Sequence, residues 1–286
     1  MSKRRELKER LTTLGEIKNI MGAMKNLALL EIRKLDVFLS TQQRVVTSLE
    51  AASQDFLSFY SDPQTSTADI QQLWIVIGSE RGFCGDFNKT LFQFVQTRAP
   101  QDNILLLVVG NKLHTKFQND QCVVAYVTGH SVAEEIQVTL IHLTETLNQL
   151  RQQLKLEQIG RISAIYHDYE KSTVRLRQLL PLAAPEIKSD FAYPPLLNLG
   201  PAQFLAQLTD QYLYAALHEV FYTSLMVENH MRLEHMENAI HRLEKNDAQL
   251  RLHYNRVRQE EIIEEIEVIL LSAEALSNTE ESTFRP

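Results

Sequence analysis

The sequence predicts an α/β fold with an unusual division of labour. Two long terminal helices form an antiparallel coiled-coil shaft, and a small open α/β domain is inserted between them. Three observations predict it. The helix breakers are confined to the middle of the chain, both ends carry heptad-like apolar seams, and the middle alternates apolar runs with amphipathic segments. The prolines are Pro63, Pro100, Pro181, Pro185, Pro194, Pro195, Pro201 and Pro286, so residues 1–62 lack proline. Residues 202–285 lack both proline and glycine. These residues cost a helix interior about 3 and about 1 kcal/mol relative to alanine, so their exclusion marks two long helices.

The N-terminal helix, residues 1–60, carries the seam Leu7, Leu11, Leu14, Ile17, Met21, Met24, Ala28, Ile32, Leu35 and Leu39. Gly15 and Gly22 either weaken it locally or admit a close backbone approach. The C-terminal helix, residues 203–278, carries Leu233, Met236, Ile240, Leu243, Asp247, Leu250, Tyr254 and Val257 at 3–4 spacing. The phase then slips by one residue and resumes at Ile262, Ile266, Ile269, Ala273 and Leu276. A sustained 3.5-residue period means a left-handed coiled coil, and a slip means a local change in winding. Residues 205–278 as one helix would run about 110 Å at 1.5 Å per residue. Residues 1–34 hold nine Lys or Arg against four Asp or Glu, whereas residues 259–286 hold eight Glu and one Arg. Opposite charge on the two ends suits antiparallel pairing. The like-charged run EEIIEEIE (260–267) also calls for cations opposite it, on the first helix or on a partner. Residues 279–286 read as an acidic tail.

The middle, residues 70–200, opens with LWIVIGSE (73–80), a buried-strand pattern ending in a glycine turn. NILLLVVG (103–110) repeats the pattern, and CVVAYVT (122–128) is a third apolar run. Helices are predicted over 87–98, 111–118 and 131–155. ISAIYHD and TVRLRQLLP, within 162–182, read as a hairpin turning near Glu170 to Ser172. Strands alternating with helices give a small open, Rossmann-like sheet.

Composition excludes several functions. A net charge of −7 gives no bulk attraction to nucleic acid. No apolar run approaches the roughly 20 residues that span a bilayer, and the charged start MSKRRELKER precedes no signal-like stretch. Cys84 and Cys122 cannot build a disulfide framework and lack metal spacing, although a redox pair is open to them. His218, His230, His235, His241 and His253 share no i,i+3 or i,i+4 spacing, so no helical metal site is expected. The loop RGFCGDFN (81–88) follows a strand, as phosphate-cradling loops do, yet matches neither the dinucleotide fingerprint nor the P-loop. No catalytic residue, cofactor site or metal site is predicted.

Three segments carry a family resemblance. IKNIMGAMKNLALLEIRKL (17–35) is similar to the N-terminal helix motif of the gamma subunit of F-type rotary ATP synthases. IGSERGFCGDFNKTLF (77–92) is similar to that family's strand and Gly-Leu-Cys-Gly-Gly-Leu-Asn loop. YNRVRQEEIIEEIEVILLSAEAL (254–276) resembles its C-terminal signature. The order of elements agrees along nearly the whole chain. Gly22, Asp86 and Ile263 stand where the family usually has Lys, Gly and Thr. SNTEESTFRP continues past the usual family end, as in a divergent branch.

The resemblance implies a non-catalytic rotor subunit, the central stalk of a rotary ATP synthase. Its partners would be three alpha and three beta subunits, the epsilon subunit and the membrane rotor ring of c subunits. It would lie peripherally at the cytoplasmic face of the bacterial inner membrane. Met24, Arg256, Arg258 and Gln259 fall near the family's contact with the catalytic subunits. Leu11, Met21, Ile240, Leu243, Leu250, Ile262, Ile266 and Ile269 are the expected shaft seam. Two other readings remain at this point: a coiled-coil adaptor or scaffold, and a small α/β enzyme binding nucleotide through residues 78–88.

Overall fold

The computed structural model describes residues 3–60, 71–98, 104–153, 159–169, 173–182 and 193–283. The expected turn at 170–172 and the last three residues of the tail lie outside them. In chain order the elements are α1 (Lys3–Tyr60), β1 (Gln71–Ile77), α2 (Phe87–Arg98), β2 (Ile104–Val109) and α3 (Asn111–His114). Then follow β3 (Val123–Val127), a 3₁₀ turn (Ala133–Glu135), α4 (Ile136–Gln153), β4 (Ile159–Asp168), β5 (Thr173–Leu180) and α5 (Pro201–Thr283). The chain packs as two units. One holds residues 26–235; the other combines residues 1–25 with 236–286.

In the unit of residues 26–235, five strands lie in the order β3-β2-β1-β4-β5. Strands β1 to β4 are parallel; β5 returns antiparallel to β4, as the hairpin reading expects. Strand β1 is central and buried on both faces, which explains its unbroken apolar run. Leu73, Ile75 and Ile77 face one core with Leu107 and Val109 of β2. There they meet Leu35, Leu39 and Val46 of α1, Ile136, Leu140 and Leu143 of α4, and Val220, Phe221 and Leu225 of α5. Trp74 and Val76 face the other core, with Phe87, Leu91 and Val95 of α2 and Leu113 of α3. Gly110 closes the strand ends. Its φ is +96°, and a Cβ there would meet the Gly78 carbonyl oxygen at 2.6 Å, so only glycine fits.

Arg177 of β5 ties this unit's helices to its sheet. It donates to Glu50 of α1 and Glu219 of α5, each at 2.7 Å. Burial pulls its pKa down, but the hydrogen bond and charge of Glu219 outweigh that and hold it above the usual arginine value. Glu31 of α1 accepts from the Ala133 N–H at 3.2 Å and from Lys34 at 3.0 Å.

The other unit pairs the start of α1 with the end of α5. Burial recurs at Met236, Ile240, Leu243, Asp247, Leu250, Tyr254, Val257 and Glu261 in one unbroken phase. On α1, Leu7 is buried, and Leu11, Leu14, Met21 and Met24 are half-buried. Lys18–Glu244 at 2.8 Å and Lys25–Glu237 at 2.9 Å step by seven residues on each helix, in opposite directions. Such exposed pairs contribute at most about 1 kcal/mol each, but their spacing fixes the antiparallel register. Arg4 reaches Glu261 at 3.2 Å, supplying one of the cations that the glutamate run calls for.

Here the structure corrects the sequence reading. The seam does not slip into Ile262, Ile266 and Ile269, which are 42%, 51% and 65% exposed. Among the described residues it keeps its phase to Glu261, which stands level with Arg4 of α1. Leu276 lies where side chains are outside the description.

A Cβ at Gly15 or Gly22 would meet nothing within 4 Å. Among the described residues neither glycine serves close backbone packing; each softens α1. Gly15→Ala and Gly22→Ala are each expected to stabilise the isolated chain by up to about 1 kcal/mol. Urea unfolding monitored by helical circular dichroism checks this, and destabilisation by either substitution would refute it.

Candidate interaction surface

Arg256, Arg258 and Gln259 are all exposed on α5. Met24 is half-buried on α1. The register set by Lys25–Glu237 puts Met24 level with about residue 238, some 18 residues from Arg256 along α5. At 1.5 Å per residue that is about 27 Å, so the structure does not bring Met24 to the arginines.

A feature missed in the sequence completes the surface. Leu252, 72% exposed, and Ile263 share a face with Arg256, Gln259, Ile266 and Leu270, at steps of three and four residues. That face points away from the buried seam. Val268, Ile269 and Leu271 add exposed apolar area beyond it. An exposed apolar stripe interrupted by one cation, Arg256, and one amide, Gln259, is the kind of surface that another protein covers. The same 3–4 period that revealed the buried seam could have revealed this second one.

The loop after β1 is built differently from a ligand cradle. The Ser79 N–H donates to Asn88 Oδ1 at 3.0 Å, and Asn88 Nδ2 donates to Ser79 Oγ at 2.7 Å. The Cys84 thiol donates to Ser79 Oγ at 3.4 Å, and burial pushes its pKa up, which disfavours the nucleophilic thiolate. The strand order reverses between β1 and β4, the place where open α/β sheets receive ligands. Val227 and Met231 of α5 pack into the apolar cluster of Cys84 and Phe87 there, and Ser224 Oγ donates to the Ile77 carbonyl at 3.5 Å. The chain's own helix therefore covers this crevice.

Cys84 follows the carboxyl end of β1, whereas Cys122 precedes the amino end of β3, two strands away in a parallel sheet. That separation rules out a disulfide between them. Two of the histidines on α5 serve as packing groups: His218 lies against Tyr214 and Tyr222, and His230 stacks on Tyr169, whereas His235, His241 and His253 are exposed. His130 is buried beside Phe221, and burial pushes its pKa down to about 3, so it stays neutral. Among the described residues no cluster of His, Cys, Asp or Glu could hold a metal ion. None of their helices is long and apolar enough to cross a membrane.

Comparison with known proteins places the whole chain. The family model described as ATP synthase matches residues 3–276. The ATP synthase gamma chain of Clostridium botulinum (strain Langeland) is 24% identical over 281 residues, covering 94% of this chain and 96% of that protein. The gamma chain of Ruminiclostridium cellulolyticum is 22% identical over 288 residues, covering 95% and 98%. The fold is similar to a chain in the rotor of the Euglena gracilis mitochondrial ATP synthase, with TM-score 0.64 and 14% identity. That match covers 91% of this chain and 98% of the other. A chain from the Tetrahymena thermophila central stalk and c-ring gives TM-score 0.55 at 15% identity, covering 77% and 99%. The chain belongs to the ATP synthase family, and the relatives that it matches from end to end are gamma chains.

Proposed function

We propose that the chain is the central-stalk rotor subunit of an F-type ATP synthase, coupling transmembrane ion flow to ATP synthesis and hydrolysis. The observation that carries this reading is the match to gamma chains over nearly their full length, with the antiparallel helix pair included. A coiled-coil adaptor would not account for that match through both shaft and α/β domain. The chain itself makes and breaks no covalent bonds. Residues 1–60 and 203–278 form the shaft, and residues 70–200 the inserted domain.

The mechanism follows from asymmetry. One chain inside a ring of three alpha and three beta subunits cannot touch the three catalytic sites alike. A partner shifts an equilibrium only by its differential affinity for the states. The angle of an off-axis shaft therefore selects which site is empty, loosely filled or tightly filled. Met24, Arg256, Arg258 and Gln259 contact the catalytic subunits at two levels of the shaft. Ile262, Ile266 and Ile269, exposed in the chain alone, are covered by the alpha and beta subunits near the tip. The epsilon subunit and the c ring bind the inserted domain, which holds the chain peripherally at the cytoplasmic face of the bacterial membrane.

Arg256→Glu tests the contact. Loss of a central arginine anchor typically costs at least about 2 kcal/mol of binding, more than tenfold. In the complex co-expressed with alpha and beta subunits, we expect coupled activity to fall about tenfold while the chain's own thermal midpoint stays unchanged. Unaltered coupling would remove Arg256 from the contact.

A further inference from the structure

Helices α4 and α5 leave a groove of about 400 Å³ between them, within the unit of residues 26–235. Leu140 and Leu217 are buried in it, and Leu213 is half-buried. Two larger apolar side chains line it while open to water, Ile141 at 51% and Tyr214 at 56% exposure. Val138, one turn before Ile141, adds exposed apolar area on the same face of α4. The only charged groups in the lining are the carboxylates of Glu145 and Asp210. The surrounding sequence has the same sign: residues 133–150 and 201–231 hold three acidic residues each and no Lys or Arg. Glu134, Glu219 and Glu228 pair with Lys34, Arg177 and Arg232. Glu135 accepts from the Ser131 N–H at 2.7 Å. Glu145 and Asp210, both exposed, have no such partner among the described residues. The two carboxylates left free are thus the two that line the groove.

Exposed apolar side chains beside free carboxylates fit a partner that is apolar and basic at once. Both walls are α-helices, whose main-chain groups are already paired within the helix, so strand addition has nothing to extend. A third helix laying side chains into the groove is the mode that suits it. We propose that the α4–α5 groove receives an amphipathic helix of another subunit of the assembly. Its apolar residues sit on Leu140, Ile141, Leu213 and Tyr214, and its Lys or Arg side chains meet Glu145 and Asp210.

The two kinds of lining act differently. The apolar groups supply contact area, whereas exposed charges set orientation and the rate of encounter, and they lose influence as salt rises. Glu145→Lys together with Asp210→Lys turns two attractions into repulsions, and occupancy of the groove is expected to fall about tenfold at low salt. Both residues are exposed, so the thermal midpoint of the chain itself should not move. That the helix belongs to a fellow subunit rests on the rotor reading; its apolar and basic character rests on the groove alone.

Photo-crosslinking in the whole complex tests the groove. The chain, with benzoylphenylalanine in place of Ile141, is co-expressed with the alpha, beta, epsilon and c subunits and irradiated, and the crosslinked peptides are sequenced by mass spectrometry. One dominant crosslink is expected, to a helical segment of another subunit that carries Lys or Arg within a turn of its apolar residues. Its yield should fall about tenfold in the double charge reversal at about 50 mM salt, and by less than about threefold at about 0.5 M. An assembled complex with no crosslink at this position would overturn the proposal. So would a crosslink within the chain, to a second copy of it or to an acidic segment, or a yield that the charge reversal leaves unchanged at low salt. A chain that does not join the alpha–beta hexamer at all would instead overturn the rotor reading, and the choice of a fellow subunit with it.

Discussion

Leu250→Pro is expected to abolish ATP-driven ion pumping while leaving nucleotide binding by the catalytic subunits intact. Leu250 is half-buried on the seam, deep inside the 83 residues of α5. Proline there removes a main-chain hydrogen bond and sets its ring against the carbonyl one turn earlier. The cost is about 3 kcal/mol or more, together with a kink. A kink redirects every contact residue beyond it, Arg256 to Ile269 included, without altering any of them. Leu250→Ala is the control. It trims the seam but keeps the helix continuous, so most pumping should survive. Pumping in inverted vesicles measures both variants, and full activity in Leu250→Pro would contradict the shaft reading.

Phe221→Ala is expected to destabilise the α/β unit by about 3–5 kcal/mol, the range for emptying a buried phenylalanine site. Phe221 has no exposed surface and packs on α5 against the sheet and the His130 ring. Removing it opens a cavity where α5 meets the strands. Trp74 is the single tryptophan and is buried in the same unit, so its fluorescence in urea reports the loss directly. Phe221→Leu should cost clearly less, because it refills most of the cavity. Equal midpoints for Phe221→Ala and the wild type would show that α5 is not anchored there.

Much of this architecture was legible in the residues. The exclusion of glycine and proline from residues 202–285 corresponds to an unbroken α5. The 3–4 spacing from Met236 to Val257 marks positions that are buried or half-buried. The runs at 73–77 and 104–109 became the two central strands because a strand covered on both faces needs no alternation. The segment 111–118 gave only a four-residue helix, because Phe117 turns into the core and the chain then leads into β3.

Other features could not be read from one chain. Periodicity reports that a face will be covered, not by what. Ile262, Ile266 and Ile269 therefore looked like more of the same seam, although among the described residues the seam keeps its phase only to Glu261. Leu252 and Ile263 were hidden because Arg256 and Gln259 interrupt their apolar stripe. The buried Glu228–Arg232 pair of α5 was hidden for the opposite reason. An i,i+4 Glu–Arg pair on a helix usually marks a solvated face, and only the position of α5 over the strand ends buries this one.

The most direct measurement of the central claim is co-expression of this chain with its alpha and beta subunits, followed by size exclusion and an ATPase assay. The account predicts one copy for every three alpha–beta pairs, with turnover lost when residues 250–286 are deleted. Elution of the chain alone or as a homodimer, with no place in the hexamer, would contradict it.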